Sequence, residues 1–187
     1  ELAAAVVAWL EVQHWDVYQE VQHRQGPVID IVAVRGMVVW AIEVKRALNL
    51  TVLAQAERHM THMRSVAVPP ARRASPERKL CERVARHFLR TGILEIIGDA
   101  HGRDIRVAVP APFLRHSHDA AQLLRQELRP EHKTHAKAGA AGGGFWTPYK
   151  QTMVQVRGIV ADAGEAGISL SEIMRQVVSG LGQDSGR

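Results

Sequence analysis

Hydrophobic residues recur along this chain with two different periods, which separate predicted strands from predicted helices. Short runs rich in Val and Ile between turn residues indicate strands, whereas apolar residues every three or four positions indicate amphipathic helices. Strands are expected at 17–21, 28–34, 37–45, 65–68, 93–97 and 105–109. Helices are expected at 1–14, 51–64, 75–89, 119–129, 148–163 and 169–178. Helices and strands mixed in this order predict an α/β domain over the first 129 residues.

The runs 28–34 and 37–45 are separated only by Arg35-Gly36. This spacing predicts a β-hairpin with a two-residue loop, in which Gly36 supplies the positive φ that such turns require. Both runs are apolar on both faces, which is typical of a central strand covered by helices. The hairpin is therefore expected to lie inside the sheet.

Three charged residues interrupt this apolar hairpin: Asp30 in its first strand, and Glu43 and Lys45 in its second. Residues two apart in a strand project to the same face, so Glu43 and Lys45 share one. A turn at Arg35-Gly36 pairs Asp30 with Ala41 and makes Asp30 and Glu43 diagonal neighbours, roughly 7 Å or less apart. The pattern thus predicts two carboxylates and an ammonium group at one place.

Charges inside an apolar segment cost free energy unless something compensates them. Two neighbouring carboxylates can hold a hard divalent cation such as Mg²⁺ through their oxygens. The alternative is a buried ion pair, in which Lys45 bridges Glu43 or Asp30 without a metal. The residues alone leave both interpretations open.

The order of elements, a helix, a hairpin carrying Asp30 and Glu43-x-Lys45, a helix and a strand, resembles the PD-(D/E)xK nucleases. This restriction-endonuclease-like superfamily includes Holliday-junction resolvases. The resemblance covers residues 1–68 and extends less closely to residue 112. Pro27 stands three residues before Asp30 rather than beside it, which departs from the family pattern. The resemblance implies a restriction-endonuclease-like α/β fold, a mixed β-sheet flanked by helices, here with a small C-terminal helical appendage.

In that family the residues matching Asp30 and Glu43 bind Mg²⁺, for which Mn²⁺ can substitute, and the backbone carbonyl matching Val44 is often a further ligand. The metal lowers the pKa of bound water, so that hydroxide attacks the phosphate. The residue matching Lys45 positions or deprotonates that water, and a glutamine near the place of Gln55 orders the site. The resemblance implies a metal-dependent nuclease that hydrolyses phosphodiester bonds of DNA.

Family members often place a glutamate of the first helix at the metal. Glu1 matches this position by order, with Glu11 as the other choice on that helix. Glu20, just before the hairpin, is a further choice. Each of the three can equally be a solvated acid.

Gln55, His59 and His62 are spaced by four and three residues and line one stripe of the helix predicted at 51–64. His59 is therefore a second candidate beside Gln55. The other histidine pairs are interpreted as solvated, because structural zinc normally requires four ligands and usually includes cysteine.

Positive charge is concentrated in one part of the chain. The 187 residues include 24 Lys and Arg against 19 Asp and Glu, a net charge of +5. Residues 57–90 alone hold nine basic and three acidic side chains. Such a block suits a polyanion, although a solvated helix face is the alternative. With the nuclease interpretation, the residues expected to contact DNA are Arg72, Arg73, Arg78 and Lys79.

Composition divides the chain into three parts. Residues 1–129 are expected to form the nuclease-like domain, and the Gly-rich stretch 130–146 a flexible linker. Residues 147–187 resemble the start of a helix-turn-helix or winged-helix module without a third, recognition helix.

Cysteine usage and hydropathy limit the protein class further. The single Cys81 excludes an intramolecular disulfide framework and fits a reducing, cytoplasmic compartment. The longest apolar stretch has nine residues, about half of a membrane span, so no membrane is expected. Members of the resembled family that cut both strands often work as dimers, so the resemblance also raises a homodimer as a partner. Two other classes stay open: a non-catalytic DNA-binding or assembly module on the same fold, and a small-molecule metalloenzyme.

Overall fold

The computed structural model describes residues 2–22, 27–71, 75–99, 102–134, 148–164 and 167–183. The chain divides into two compact units, 1–145 and 146–187. The first contains the sheet and all the charged hairpin residues. The second contains α6 (Pro148–Ala163) and α7 (Leu170–Gln183).

A six-stranded mixed sheet forms the centre of the first unit, with its strands in chain order across the sheet. Its strands are β1 (Asp16–Gln22), β2 (Val28–Arg35), β3 (Val38–Val44), β4 (Met63–Val68), β5 (Gly92–Asp99) and β6 (Gly102–Val109). Strands β1 to β3 are antiparallel, β3 to β5 parallel, and β5 to β6 antiparallel. The predicted α/β class is therefore confirmed.

Helices cover both faces of the sheet. In the described part of this unit they are α1 (Leu2–Val12), α2 (Leu50–Glu57), α3 (Pro76–His87), α4 (His118–Glu127) and α5 (Glu131–Thr134). A 3₁₀ turn at Arg115–Ser117 precedes α4. Because β3 to β5 are parallel, each connection must cross over the sheet, and α2 and α3 supply these crossovers.

Alternate side chains of β3 show which helix covers each face of the sheet. Trp40 and Ile42 pack with α1, whereas Val39 and Ala41 pack with α4 on the opposite face. Helices α2 and α3 pack beside α4, over β4 and β5. By the alternation of side chains, Glu43 belongs to the face that carries α2 and α4.

Helix α2 is shorter than predicted, because it ends at Glu57 rather than continuing to residue 64. Met60 and Met63 have helical spacing, yet Met63 pairs with Trp40 in the sheet. The buried guanidinium of Arg64 donates to the carbonyl of Glu57 at the end of α2, and to that of Leu89, 2.7 Å away, just after α3. A cation at two helix C-termini complements both dipoles, so tertiary contacts override the helical periodicity.

Other boundaries agree with their local signals. Ser75 caps α3 by accepting a hydrogen bond from the backbone N–H of Arg78 at 3.1 Å. Ser169 accepts one from the backbone N–H of Glu172 at the start of α7. The predicted linker, 130–146, begins with a helical turn, α5, and its residues 135–146 lie outside the described residues.

Gly92 begins β5 at a point without room for a side chain. A Cβ built there would lie 2.9 Å from both Cβ and N of Ala111 and would collide with Oγ of Ser65. That hydroxyl also accepts a hydrogen bond from the indole of Trp40 at 3.0 Å. Both neighbours are held by the core.

We therefore expect Gly92→Ala to lower the free energy of unfolding by about 2 kcal/mol, the usual cost of overpacking. Urea denaturation followed by tryptophan fluorescence measures this. A change of less than about 0.5 kcal/mol, the usual range for a surface substitution, would show that β5 and Ala111 can move apart freely.

Candidate active site

The hairpin turns one residue later than the sequence suggested. Arg35 pairs with Val38, so the loop is Gly36-Met37 rather than Arg35-Gly36. Gly36 has φ +59° and occupies the first loop position, where type II′ turns favour glycine. The glycine requirement was predicted correctly, but its place in the loop was not.

This register changes the partner of Asp30. Ala41 pairs with Val32, so the predicted pairing of Asp30 with Ala41 is wrong. Extending this register one step beyond its last pair, Ile31–Ile42, places Asp30 opposite Glu43. A shift of two residues preserves the face of every side chain, so the predicted juxtaposition survives the wrong register.

The side chains of Asp30, Glu43 and Lys45 meet at one point. Nζ of Lys45 lies 2.7 Å from Oδ2 of Asp30 and 2.7 Å from Oε2 of Glu43. These two oxygens are therefore separated by no more than twice that distance. The backbone N–H of Val44 also donates to Oδ2 of Asp30 at 2.7 Å. The Glu43 side chain is 5% exposed and that of Asp30 17% exposed.

His59 completes the surroundings of Glu43. Its Nε2 lies 2.7 Å from Oε1 of Glu43, and its side chain is buried. Since a carboxylate only accepts, Nε2 carries the proton. The sequence placed His59 on a helix with Gln55, but it lies in the loop after α2. The contact between His59 and Glu43 could have been sought from the apolar surroundings of Glu43 in the sequence. A buried carboxylate requires a hydrogen-bond donor for each of its oxygens, and Lys45 serves only one of them.

The pKa values of these groups shift in different directions. Burial, together with the neighbouring charge of Glu43, raises the pKa of Asp30. Burial alone would also raise the pKa of Glu43, but hydrogen bonds from His59 and Lys45 outweigh it and hold that pKa below its ordinary value. The two carboxylates likewise outweigh desolvation at Lys45 and raise its pKa. Lys45 is therefore firmly protonated.

The cluster opens into a cavity of about 210 Å³ between α2 and the hairpin. Its wall includes Pro27, Glu43, Lys45, Gln55, Arg58 and His59. Gln55 lies on the exposed side of α2 and lines this cavity. Solvent and a ligand of moderate size can therefore reach Glu43 and Lys45.

The three alternative glutamates lie in different places. Glu1 lies outside the described residues. Glu11 is exposed near the end of α1, where the carbonyl of Gln13 accepts from Arg35 at the far end of β2. Glu11 is therefore not at the cluster. Glu20 lies opposite Asp30, between the pairs Gln19–Ile31 and Val21–Ile29, and has φ +51°.

The side chains predicted to contact DNA differ in whether the structure describes them and in how exposed they are to solvent. Arg72 and Arg73 lie outside the described residues. Arg78 forms ion pairs with Glu82, at 3.0 Å, and with the buried Glu95, and its side chain is only 11% exposed. Lys79 is exposed on α3. Of the two described residues, Lys79 is the one that faces solvent.

His62 is part of the core rather than the cluster. Its Nδ1 accepts from the backbone N–H of Val39 at 3.1 Å, so its Nε2 carries the proton that is donated to Nδ1 of His118, 3.0 Å away. Desolvation, and then the charge of His118, lower the pKa of His62. Through these two hydrogen bonds the neutral His62 connects the start of α4 to β3.

The carboxylates of the cluster suit Mg²⁺ better than a metal that takes all of its ligands from protein side chains. Among the described residues, no three His, Cys, Asp or Glu side chains are placed to hold a metal ion. Mg²⁺ is commonly bound by one or two carboxylates, with waters and substrate phosphate as its other ligands. Asp30 and Glu43 provide two carboxylates, provided that Lys45 moves from between them.

No family model matches the chain, and no curated protein matches it. One solved structure is similar, the SPO1766 protein of unknown function from Silicibacter pomeroyi. It is 20% identical, with a TM-score of 0.47, and the match covers 67% of this chain and 80% of that chain. Within the described ranges, no helix has the length and apolarity required to cross a membrane.

Lys45→Met is expected to lower the melting temperature of the metal-free protein by about 5 °C, because it leaves two partly buried carboxylates without their cation. The same change removes the competitor for their oxygens. Added Mn²⁺ should therefore raise the melting temperature more in the variant than in the wild type. Differential scanning calorimetry with and without Mn²⁺ measures both effects.

Lys79→Met is the matched control, since it removes an exposed lysine from α3 and should change neither quantity. Equal Mn²⁺ responses in Lys45→Met and wild type would contradict a cation site at Asp30 and Glu43.

Proposed function

We propose that the protein is a Mg²⁺-dependent nuclease that hydrolyses phosphodiester bonds of DNA. The observation that carries this proposal is the convergence of Asp30, Glu43 and Lys45 beside an open cavity, at the end of a central β-hairpin. The order of a helix, an antiparallel hairpin, a crossover helix and a parallel strand supports a restriction-endonuclease-like arrangement of the mixed sheet.

Asp30, Glu43 and the backbone carbonyl of Val44 are the groups that would hold the metal. When bound, Mg²⁺ lowers the pKa of water and offsets charge on the phosphate. His59 holds Oε1 of Glu43, so Oε2, which pairs with Lys45 in the metal-free protein, is the oxygen that would bind the metal. The neighbouring N–H of Val44 likewise orients Asp30. The chain thus fixes the direction of both carboxylates before a metal arrives.

Lys45 acts as a donor in this arrangement. In the metal-free protein the two carboxylates raise the pKa of Lys45, and its charged ammonium group can donate to the attacking water or to a phosphate oxygen. The negative charge that develops on the phosphate in the transition state is stabilised by a nearby cation. Gln55, across the cavity, can hydrogen-bond the water or the substrate.

The charge distribution suits a polyanionic substrate. Lys79, Arg83 and Arg86 are exposed on α3, which lies on the same face of the sheet as α2. Arg58 is exposed at the cavity itself. Such cations bind phosphates without reading sequence, because their energy comes largely from counterion release.

A second candidate function is a non-catalytic DNA-binding or assembly module. The observation that favours it is the position of Lys45, which already forms ion pairs with both carboxylates at 2.7 Å. In that case the cluster is an ion pair that stabilises the fold. The two functions differ in whether DNA is cut.

The deciding experiment incubates the protein with supercoiled and four-way branched DNA in Mg²⁺ or Mn²⁺. We expect cleavage by the wild type, loss with a chelator, and a rate at least about 100-fold lower in Asp30→Asn and Lys45→Met. Glu11→Gln is the matched control, because this exposed carboxylate lies away from the cluster. Salt-dependent DNA binding by a wild type that never cuts would instead establish the non-catalytic module.

His59→Ala should weaken Mn²⁺ binding by about tenfold, since a group that orients a ligand contributes to affinity. His59→Gln retains a donor for Oε1 of Glu43 and should recover most of the loss. Isothermal titration calorimetry measures both, with circular dichroism as a check on folding. Equal affinities for the alanine variant and wild type would mean that His59 does not orient Glu43.

A further inference from the structure

A second cavity, of about 230 Å³, adjoins the one that opens onto Glu43 and Lys45. The two share three lining residues, Pro27, Arg58 and His59. The second lies between β2, the loop after α2, and helix α4. A ligand that extends from the carboxylate cluster past Arg58 would therefore enter it.

The walls of this second cavity differ in chemistry from those of the first. Ile29, Met60, Ala120 and Leu124 contribute apolar surface. Thr61 also lines it, but its hydroxyl already donates to the carbonyl of Met63 at 2.7 Å. The interior therefore suits a weakly polar group, and Arg58, the one strong cation among these lining residues, lies at the junction of the two cavities.

We infer that the second cavity binds the base of an unpaired nucleotide next to the scissile phosphate. This inference rests on the proposed nuclease function. When a phosphodiester binds Arg58, between the two cavities, its charged oxygens face the carboxylate cluster and its nucleoside faces the apolar wall of the second cavity. The cavity is smaller than pockets for drug-sized ligands, roughly 300–1,000 Å³, which favours a single base over a larger group.

The occupant must be unpaired because the cavity accepts a base only from outside the helical stack. Extruding a paired base costs free energy for unpairing and unstacking, and this cost is least when the base has no partner. The substrate class is therefore DNA with a bulge, a flap or a branch rather than continuous duplex. Since the walls offer few hydrogen-bonding groups, the base is selected by size and not by sequence.

The test uses two short DNA duplexes that differ only in one bulged nucleotide, which carries 2-aminopurine. Binding is measured with Ca²⁺ in place of Mg²⁺, by anisotropy for affinity and by 2-aminopurine emission for the environment of the base. We expect about tenfold tighter binding of the bulged duplex, with a change in emission. Ala120→Phe, which fills the cavity, should abolish both the preference and the emission change while leaving affinity for the paired duplex unaltered.

Leu123→Phe is the matched control, because it adds a ring to the exposed side of the same helix. Met60→Ala, at a half-exposed loop position, is a second variant that removes part of the wall without filling it, and it should reduce the preference. Equal binding of the two duplexes by wild type, or an unchanged preference in a folded Ala120→Phe variant, overturns the base site. If the wild type still cuts DNA in Mg²⁺, the proposed function stands without the site. A folded protein that neither binds nor cuts DNA defeats both.

Discussion

The structure of the first unit depends on how two carboxylates are accommodated on adjacent inner strands. Asp30 and Glu43 face each other across β2 and β3, where burial and mutual repulsion both oppose their charges. Lys45 and His59 supply the compensation from the end of β3 and from the loop after α2. The cluster therefore requires three segments to meet: β2, the end of β3 and the loop after α2. The residues at which β3 and α2 end decide whether Lys45 and His59 can reach the carboxylates.

Sequence patterns predicted the architecture well where the signal was local. The apolar hairpin, the Ser75 cap and the succession of strands along the chain all follow from residue types over short distances. The register of the hairpin did not, because a loop at Arg35-Gly36 and one at Gly36-Met37 both contain the required glycine. Since side chains alternate with period two, the resulting shift changed the partner of Asp30 but left it on the correct face.

Features that depend on distant contacts could not be predicted in the same way. The end of α2 is decided by the pairing of Met63 with β3 and by Arg64, so the helical spacing of Met60 and Met63 was misleading. The contact of His59 with Glu43 follows from that early end. Arg78 similarly looks like a solvent-facing cation until Glu95, on β5, is seen to pair with it. In each case a partner far away in sequence decides the role.

The position of Arg64 has a consequence for how the domain opens. The buried guanidinium of Arg64 donates hydrogen bonds to the C-terminal ends of both crossover helices, α2 and α3. If either helix end frayed, this cation would lose one partner and become exposed while the other end still held it. We therefore expect the ends of α2 and α3 to open together rather than separately. The loop that presents His59 begins at this anchored end, so we expect its first residues to move less than those of a loop without such an anchor.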